Sequence, residues 1–411
     1  MVLRESRNGL SPHMSRYVVV AALALLSWIT YLDRAAISSV KDPISLELRL
    51  DDKAMGAVFS AFALGYALGQ IPAGWGADRF GPRVLLTVVV ALWSLLTGFT
   101  GLVQTFTSLL VVRFLFGLAE AGAYPGTARA FYSWLPPSEH GRANGVVFAA
   151  SRIGAALAFP LMAMLLEHGS WRDTFYLLAI PGLLWAVLWY GLFRERTVAL
   201  PSTGRPAMRL SEAFRTVPYR LALFQYFATN FTTFLCLSWM NPYLKQRFSL
   251  SVSVAAYYTM LPLLVGATAQ WISGYTVDRL FRSRFQAVSR VVPAVAGFAI
   301  SAVGAAAIPF APDAPTAAVC FALAAFGAEI TISPSWAFCI DLGGKNAGSV
   351  SGAMNTAGNL GSFVSANAFP WLQSAFGSAG PYFFLVCGMN LLSGLAWTRM
   401  RRPEDKAVRG A

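Results

Sequence analysis

Charge is in short supply. Only 12% of the 411 residues are Asp, Glu, Lys or Arg, about half of the ~25% typical of soluble domains, which excludes an ordinary water-soluble globule. Histidine is scarcer: His13, His140 and His168 are the whole complement, and all three fall outside the apolar runs described below. The four cysteines, Cys236, Cys320, Cys339 and Cys387, lie within or near those runs, and none has a Cys-x-x-Cys spacing, so packing is their expected role. With no metal cluster or nucleophile–base pair inside the runs, an intramembrane enzyme is disfavoured and no cofactor is expected. The alternating ten-residue segments of a membrane barrel are missing too.

What is present is hydrophobic length. Hydrophobic residues make up 56% of the chain, and they gather into runs near twenty residues, enough to cross a bilayer as a helix. The pattern predicts an all-α membrane protein with twelve spans, at about 17–39, 54–77, 84–104, 107–131, 143–167, 172–193, 218–243, 253–277, 290–309, 316–340, 348–370 and 380–400. Residues 194–217, rich in Arg and Pro, read as a linker between a first half (1–193) and a second half (218–411). The first run follows Arg4, Arg7 and Arg16 without a small-residue cleavage site and reads as a retained helix. The sequon Asn230-Phe-Thr232 falls mid-helix, out of reach of glycosylation.

The net charge of +13 invites a nucleic-acid reading, but its placement argues against one. With the N-terminus inside, 22 of the 32 Lys and Arg fall in cytoplasmic segments or helix ends, six outside and four within the membrane. That is the positive-inside signal. Both termini are expected in the cytoplasm and the partner is the lipid bilayer; a monomer is expected.

The halves echo each other. Gly74-x-x-x-Asp78-Arg79 recurs as Gly274-x-x-x-Asp278-Arg279, and Glu120-x-x-x-x-Pro125 as Glu329-x-x-x-x-Pro334; Gly145, Arg152 and Gly154 correspond to Gly352, Asn359 and Gly361. Offsets of 200, 209 and 207 residues point to a duplicated six-helix unit, hence to two pseudo-symmetric halves.

Charges inside the spans carry the functional reading, since each costs about 2.5–3.5 kcal/mol or more unless paired or facing water. Arg113 and Glu120 are seven residues apart, on one helix face and roughly 10 Å apart along the axis. Asp33 and Arg34 are adjacent, about 100° apart, so they face different surroundings; Asp33 has Arg113 or Arg34 as candidate partners. Arg152 is a third buried guanidinium, and Glu329 an acid in the second half that either pairs with Arg152 or titrates alone. Arg129 is expected to snorkel to the membrane edge. In the first half three fixed cations stand over two acids, giving +1 with both ionised and +3 with both protonated, the ingredients of proton-coupled anion transport. A neutral-sugar or drug carrier leaves the three arginines unexplained. A non-transporting receptor or channel does not fit the two-fold duplication with short loops.

The loop Gly74-Trp-Gly-Ala-Asp78-Arg79-Phe-Gly81-Pro-Arg83 resembles the signature of the major facilitator superfamily, and the resemblance covers all twelve spans. Gly74 permits close helix approach, Asp78 accepts from a helix N-terminus or an Arg, and Gly81 allows a tight turn; Gly74, Asp78 and Arg79 are assigned to a conformational latch. Tyr31-x-Asp33-Arg34 with Arg113-x6-Glu120 resembles the anion:cation symporter branch, which includes bacterial sugar-acid and hexuronate carriers, sialin and the vesicular glutamate transporters. That resemblance implies a bacterial inner-membrane protein that imports a small organic anion with protons. It implies that Asp33 and Glu120 carry the protons, that Arg34 contacts the substrate carboxylate and that Arg113 modulates Glu120. By position, Tyr31 and Tyr66, with Asn355 and Asn359 from span eleven, would meet a polyol. The two asparagines lie on one helix face, and hydrogen bonding between helices is the competing role for them. Ser151-Arg152 departs from the branch pattern and suggests a substrate with two anionic ends; Glu329, a further departure, leaves the proton stoichiometry open. An organophosphate–phosphate antiporter of the same superfamily would want an Arg in each half, and span seven has none after Arg220.

Overall fold

A helix of 49 residues, Asp52–Thr100, would run about 74 Å at 1.5 Å per residue, more than twice the hydrocarbon thickness. It is therefore two spans, and the break falls at Gly81, whose φ of 80° and ψ of 158° suit a residue with no Cβ. The computed structural model describes residues 12–194 and 208–400. Most of the expected linker, together with both chain ends, lies outside the described residues.

The twelve spans follow in order. Span one is Pro12–Ser39, spans two and three share Asp52–Thr100, and span four joins Phe106–Glu120 to Ala123–Trp134. Spans five and six are His140–His168 and Trp171–Leu192. Span seven runs from Val217–Phe234 through a π turn, Leu235–Trp239, into Met240–Phe248. Spans eight and nine are Val252–Phe281 and Val291–Ala307; span ten joins Ala314–Ile330 to Ile332–Gly343; spans eleven and twelve are Ala347–Phe376 and Gly380–Arg399. Two apolar stretches, of 47 and 63 residues, are each long enough for two crossings.

Spans four and ten break at equivalent places, one residue after Glu120 and two after Glu329. The cause is Pro125 and Pro334, which have no N–H for the carbonyl four residues back. In span ten that carbonyl, on Ile330, instead accepts from the Ser273 hydroxyl at 2.6 Å. Each glutamate is thereby set at a bend near the middle of its span.

The halves meet where span two packs on span eleven and span five on span eight, and bare glycines bring these backbones together. A Cβ at Gly74 would stand 2.5 Å from the Gly348 carbonyl oxygen, one at Gly352 2.6 Å from that of Gln70, and one at Gly145 2.6 Å from that of Gln270. Gly352→Leu should therefore pry the halves apart at this end. Spin labels at Phe80→Cys and Phe285→Cys, with the half-exposed Cys320 and Cys387 replaced by alanine, should report a longer and broader distance distribution. An unchanged distribution would mean that the seam tolerates the added side chain.

Candidate functional site

The seam is tied at the end of the bundle that carries the linker. Asp78, closing span two, accepts from the backbone N–H of Gly348 and of Ser349, both at 2.8 Å, and from the Ser349 hydroxyl at 2.6 Å. These are the first turn of span eleven, where unsatisfied N–H groups and the helix dipole favour a carboxylate. Asp278 repeats the arrangement on span five, accepting from the N–H of Gly141 and of Arg142 at 2.9 Å. Beside it His140 meets Asp341 at 3.1 Å and Arg290 meets Asp341 at 3.2 Å. The acceptor reading of Asp78 and the close approach at Gly74 agree with this geometry. Arg79 is exposed, its guanidinium over Trp75 at 5.1 Å and Phe80 at 5.7 Å, and it lines a cleft at this end of the seam together with Asp78, Asn346 and Ser349. At the opposite end, Arg172–Glu47, Arg247–Pro309 and Gln373–Gln246 each join elements of one half.

Midway along the seam the buried charges come together. Arg34 Nε donates to both oxygens of Glu120 at 3.0 Å. Its guanidinium lies over Tyr66 at 4.3 Å and near Tyr31 at 5.1 Å. Its Nη2 is buried and has no hydrogen-bond partner, while 20% of the side chain remains accessible against none for Glu120. Arg113, buried on the expected shared face, stacks on Phe116 at 4.4 Å and Phe62 at 5.2 Å, and its Nε is unpartnered. Asp33 is buried with neither oxygen hydrogen-bonded; Glu120, Trp93 and Arg113 are its polar surroundings. The direct ion pair is thus Arg34 with Glu120, in place of either arginine with Asp33 or of Arg113 with Glu120. Arg113 and Asp33 stand close by, without contact.

Arg152 crosses the seam, donating from Nη2 to Glu329 Oε1 at 2.5 Å. The other Glu329 oxygen accepts from Gln270 at 2.8 Å. Asn355 also crosses it, donating to Tyr66 Oη at 3.3 Å, whereas Asn359 turns back to the Asn355 carbonyl at 2.8 Å. The helix-linking role expected as the alternative for these amides describes Asn355 in this state, and Asn359 closes a local bond. Beneath the charges, on the linker side, Tyr124 stacks on Phe148 at 5.1 Å, and Trp336 lies 5.8 and 5.4 Å from these two rings. Trp336 also donates to Tyr226 at 2.8 Å. This aromatic floor and the two glutamines, Gln70 and Gln270, were not singled out from the sequence. Their signal was available in the 200-residue offset that relates the glutamines.

Two six-helix bundles, clasped at one end around charges held at mid-span, define a carrier of the alternating-access kind. The chain belongs to the Major Facilitator Superfamily, which it matches over residues 23–366. It is similar to a probable sulfoacetate transporter of Cupriavidus necator, 31% identical, with 96% of this chain and 97% of that one covered. It is also similar to a hexuronate transporter of Bacillus subtilis, 29% identical with 94% of each covered, and to a probable galactarate/D-glucarate transporter of the same organism, 30% identical with 96% and 93% covered. Among solved structures, the E. coli fucose:proton symporter aligns with a TM-score of 0.73 at 15% identity, over 94% of this chain and all of that one. The human organic anion transporter MFSD10 aligns at 0.73 and 16%, over 93% and 99%. At those identities the structural likeness speaks for the fold. The protein is a multi-pass membrane transporter and not an enzyme.

Proposed function

We propose that the protein is a proton-coupled symporter that imports a small organic anion by alternating access. One observation carries the reading: Arg34 spends only Nε on Glu120, and its buried Nη2 is left without a partner. An orphaned charged donor at mid-membrane is expensive, and an incoming carboxylate supplies the missing acceptor in the forked geometry that guanidinium favours. The relatives support the cargo class, since sulfoacetate, hexuronates, galactarate and glucarate are all organic acids. An organophosphate exchanger fits less well, because Lys245 and Arg247 sit in the last turn of span seven, far from Arg34.

Asp33 and Glu120 are the proton carriers in this reading. Asp33 gains a proton without breaking any hydrogen bond, whereas protonation of Glu120 loosens its hold on Arg34 and turns the guanidinium toward cargo. Arg113, near both acids, sets the field between them. Tyr31 and Tyr66 line the guanidinium and offer hydroxyls, and Asn355 is available once the seam opens. Asp78 with Gly74 holds the linker end shut. Placing that end in the cytoplasm by the positive-inside rule makes this the outward-facing form of a monomer in a bacterial inner membrane, with both termini inside. Each net positive charge carried inward gains about 2.3 kcal/mol per 100 mV, so two protons with a monoanion exploit the potential and one proton does not.

Purified protein in liposomes, given an inward proton gradient and a panel of labelled organic acids, should accumulate at least one of them above its outside concentration. Accumulation should cease when the gradient is collapsed with an uncoupler. Uptake indifferent to the gradient would remove the coupling, and a panel with no acid moved would remove the cargo class.

A further inference from the structure

Glu120 and Glu329 occupy equivalent places in the two halves, yet their surroundings differ. The residue set against Glu120 from span two is Tyr66, which lies beneath Arg34. Its equivalent in span eight, 200 residues on, is Gly266, and a side chain there would begin 3.3 Å from Glu329 Cγ. The missing side chain leaves Glu329 room beside Gln270, from which it reaches Arg152 across the seam. Gln70, the counterpart of Gln270, is buried with both amide atoms unpartnered. The first half therefore keeps its glutamate–arginine pair to itself, while the second half lends its glutamate to an arginine of the first.

The two pairs flank one ring. The guanidinium carbons of Arg34 and Arg152 lie 5.1 and 5.7 Å from the centroid of Tyr31, which bounds their separation at about 10.8 Å. Both side chains stay partly accessible, at 20% and 11%. A monocarboxylate can complete Arg34 and leave Arg152 on Glu329. An acid with a second anionic group a few carbons away reaches both guanidiniums at once.

Resting on the organic-anion reading above, we propose that Arg152 and Glu329, paired across the seam beside Tyr31, make the carrier selective for dianions. The second anionic group of the cargo takes the place of Glu329 on Arg152. Glu329 then takes a proton from water, becoming a neutral acid that keeps its bond with Gln270. On release, the proton leaves to the water of the receiving side and the ion pair forms again. Charge closes on this scheme. Arg34, Arg113 and Arg152 against Asp33, Glu120 and Glu329 sum to zero; a dianion with protons on Glu329 and on one of the two carriers Asp33 and Glu120 returns the occupied site to zero, and a proton on the remaining acid leaves it one positive. Cys236 of span seven is the further titratable group near Glu329; Tyr31 and Tyr124 are those near Arg152. Because the pair bridges the halves, arrival of a dianion also releases a tie between them.

Galacturonate and galactarate test this, since they share a six-carbon chain and differ by one carboxylate. In the liposome assay, competition against the labelled acid should favour galactarate at least tenfold in the parent protein. The double variant R152Q/E329Q, which removes the pair without stranding either charge, should bring that preference within threefold of unity. A parent that treats the two acids alike, or a preference that survives in the double variant, overturns the proposal. If no acid moves, the organic-anion reading falls first and takes this proposal with it.

Discussion

Arg34→Lys is expected to weaken cargo binding roughly 10- to 150-fold. Hydrogen bonds to charged groups contribute about 1.5–3 kcal/mol each, and 1.4 kcal/mol is tenfold in affinity. Lysine keeps the charge but presents a point donor on a flexible stem, so it cannot hold Glu120 through one nitrogen while offering a free fork to cargo. Stacking on Tyr66 and Tyr31 is weakened as well. The measurement is the half-saturating concentration of the transported acid in counterflow, where no gradient contributes. Affinity within threefold of the parent would remove Arg34 from the cargo site.

Glu120→Gln has the larger expected consequence for accumulation. Glutamine can still accept one bond from Arg34 Nε, so the local packing, with Glu120 wholly buried, is kept. It cannot exchange a proton, and the amide is permanently neutral. Concentrative uptake driven by pH should fall to equilibration, with an inside-to-outside ratio near one, while exchange of labelled for unlabelled acid continues at a comparable rate. Loss of both activities together would reassign Glu120 to structure; retention of both would place the coupling proton elsewhere, with Asp33 the next group to test.

The architecture was legible because membrane physics leaves few options. Runs near twenty residues, arginines massed in one set of loops and motifs repeating at 200, 207 and 209 residues already describe two related six-helix units, and Pro125 and Pro334 mark where spans four and ten bend. Helical spacing likewise put Arg113 and Glu120 on one face. Pairings between spans were not legible in the same way, since they depend on which helices are neighbours and at what depth. Hence Asp33 was given a choice of two arginines and contacts neither, while Glu120 took Arg34 in place of the arginine on its own helix. For Glu329 the sequence left two options, and geometry selected Arg152. Gln70 and Gln270 escaped notice because a neutral amide in an apolar run raises no alarm, although the repeat places one in each half. The contact of the Arg79 guanidinium with the aromatic faces of Trp75 and Phe80 was not legible either, because adjacency to Asp78 says nothing about direction.

The two carboxylate clasps are not twins. Asp278 has, besides its main-chain donors, the guanidinium of Arg142 at 3.4 Å, with that side chain 46% open to solvent, whereas the further direct contact of Asp78 is the uncharged hydroxyl of Ser349, with Arg129 acting on it without an ion pair. Dissolved ions screen an exposed guanidinium and leave an uncharged hydroxyl untouched. The Asp278 clasp is therefore expected to loosen more with ionic strength than its mirror image, which would give a molecule built by copying one unit twice a gate that opens unevenly.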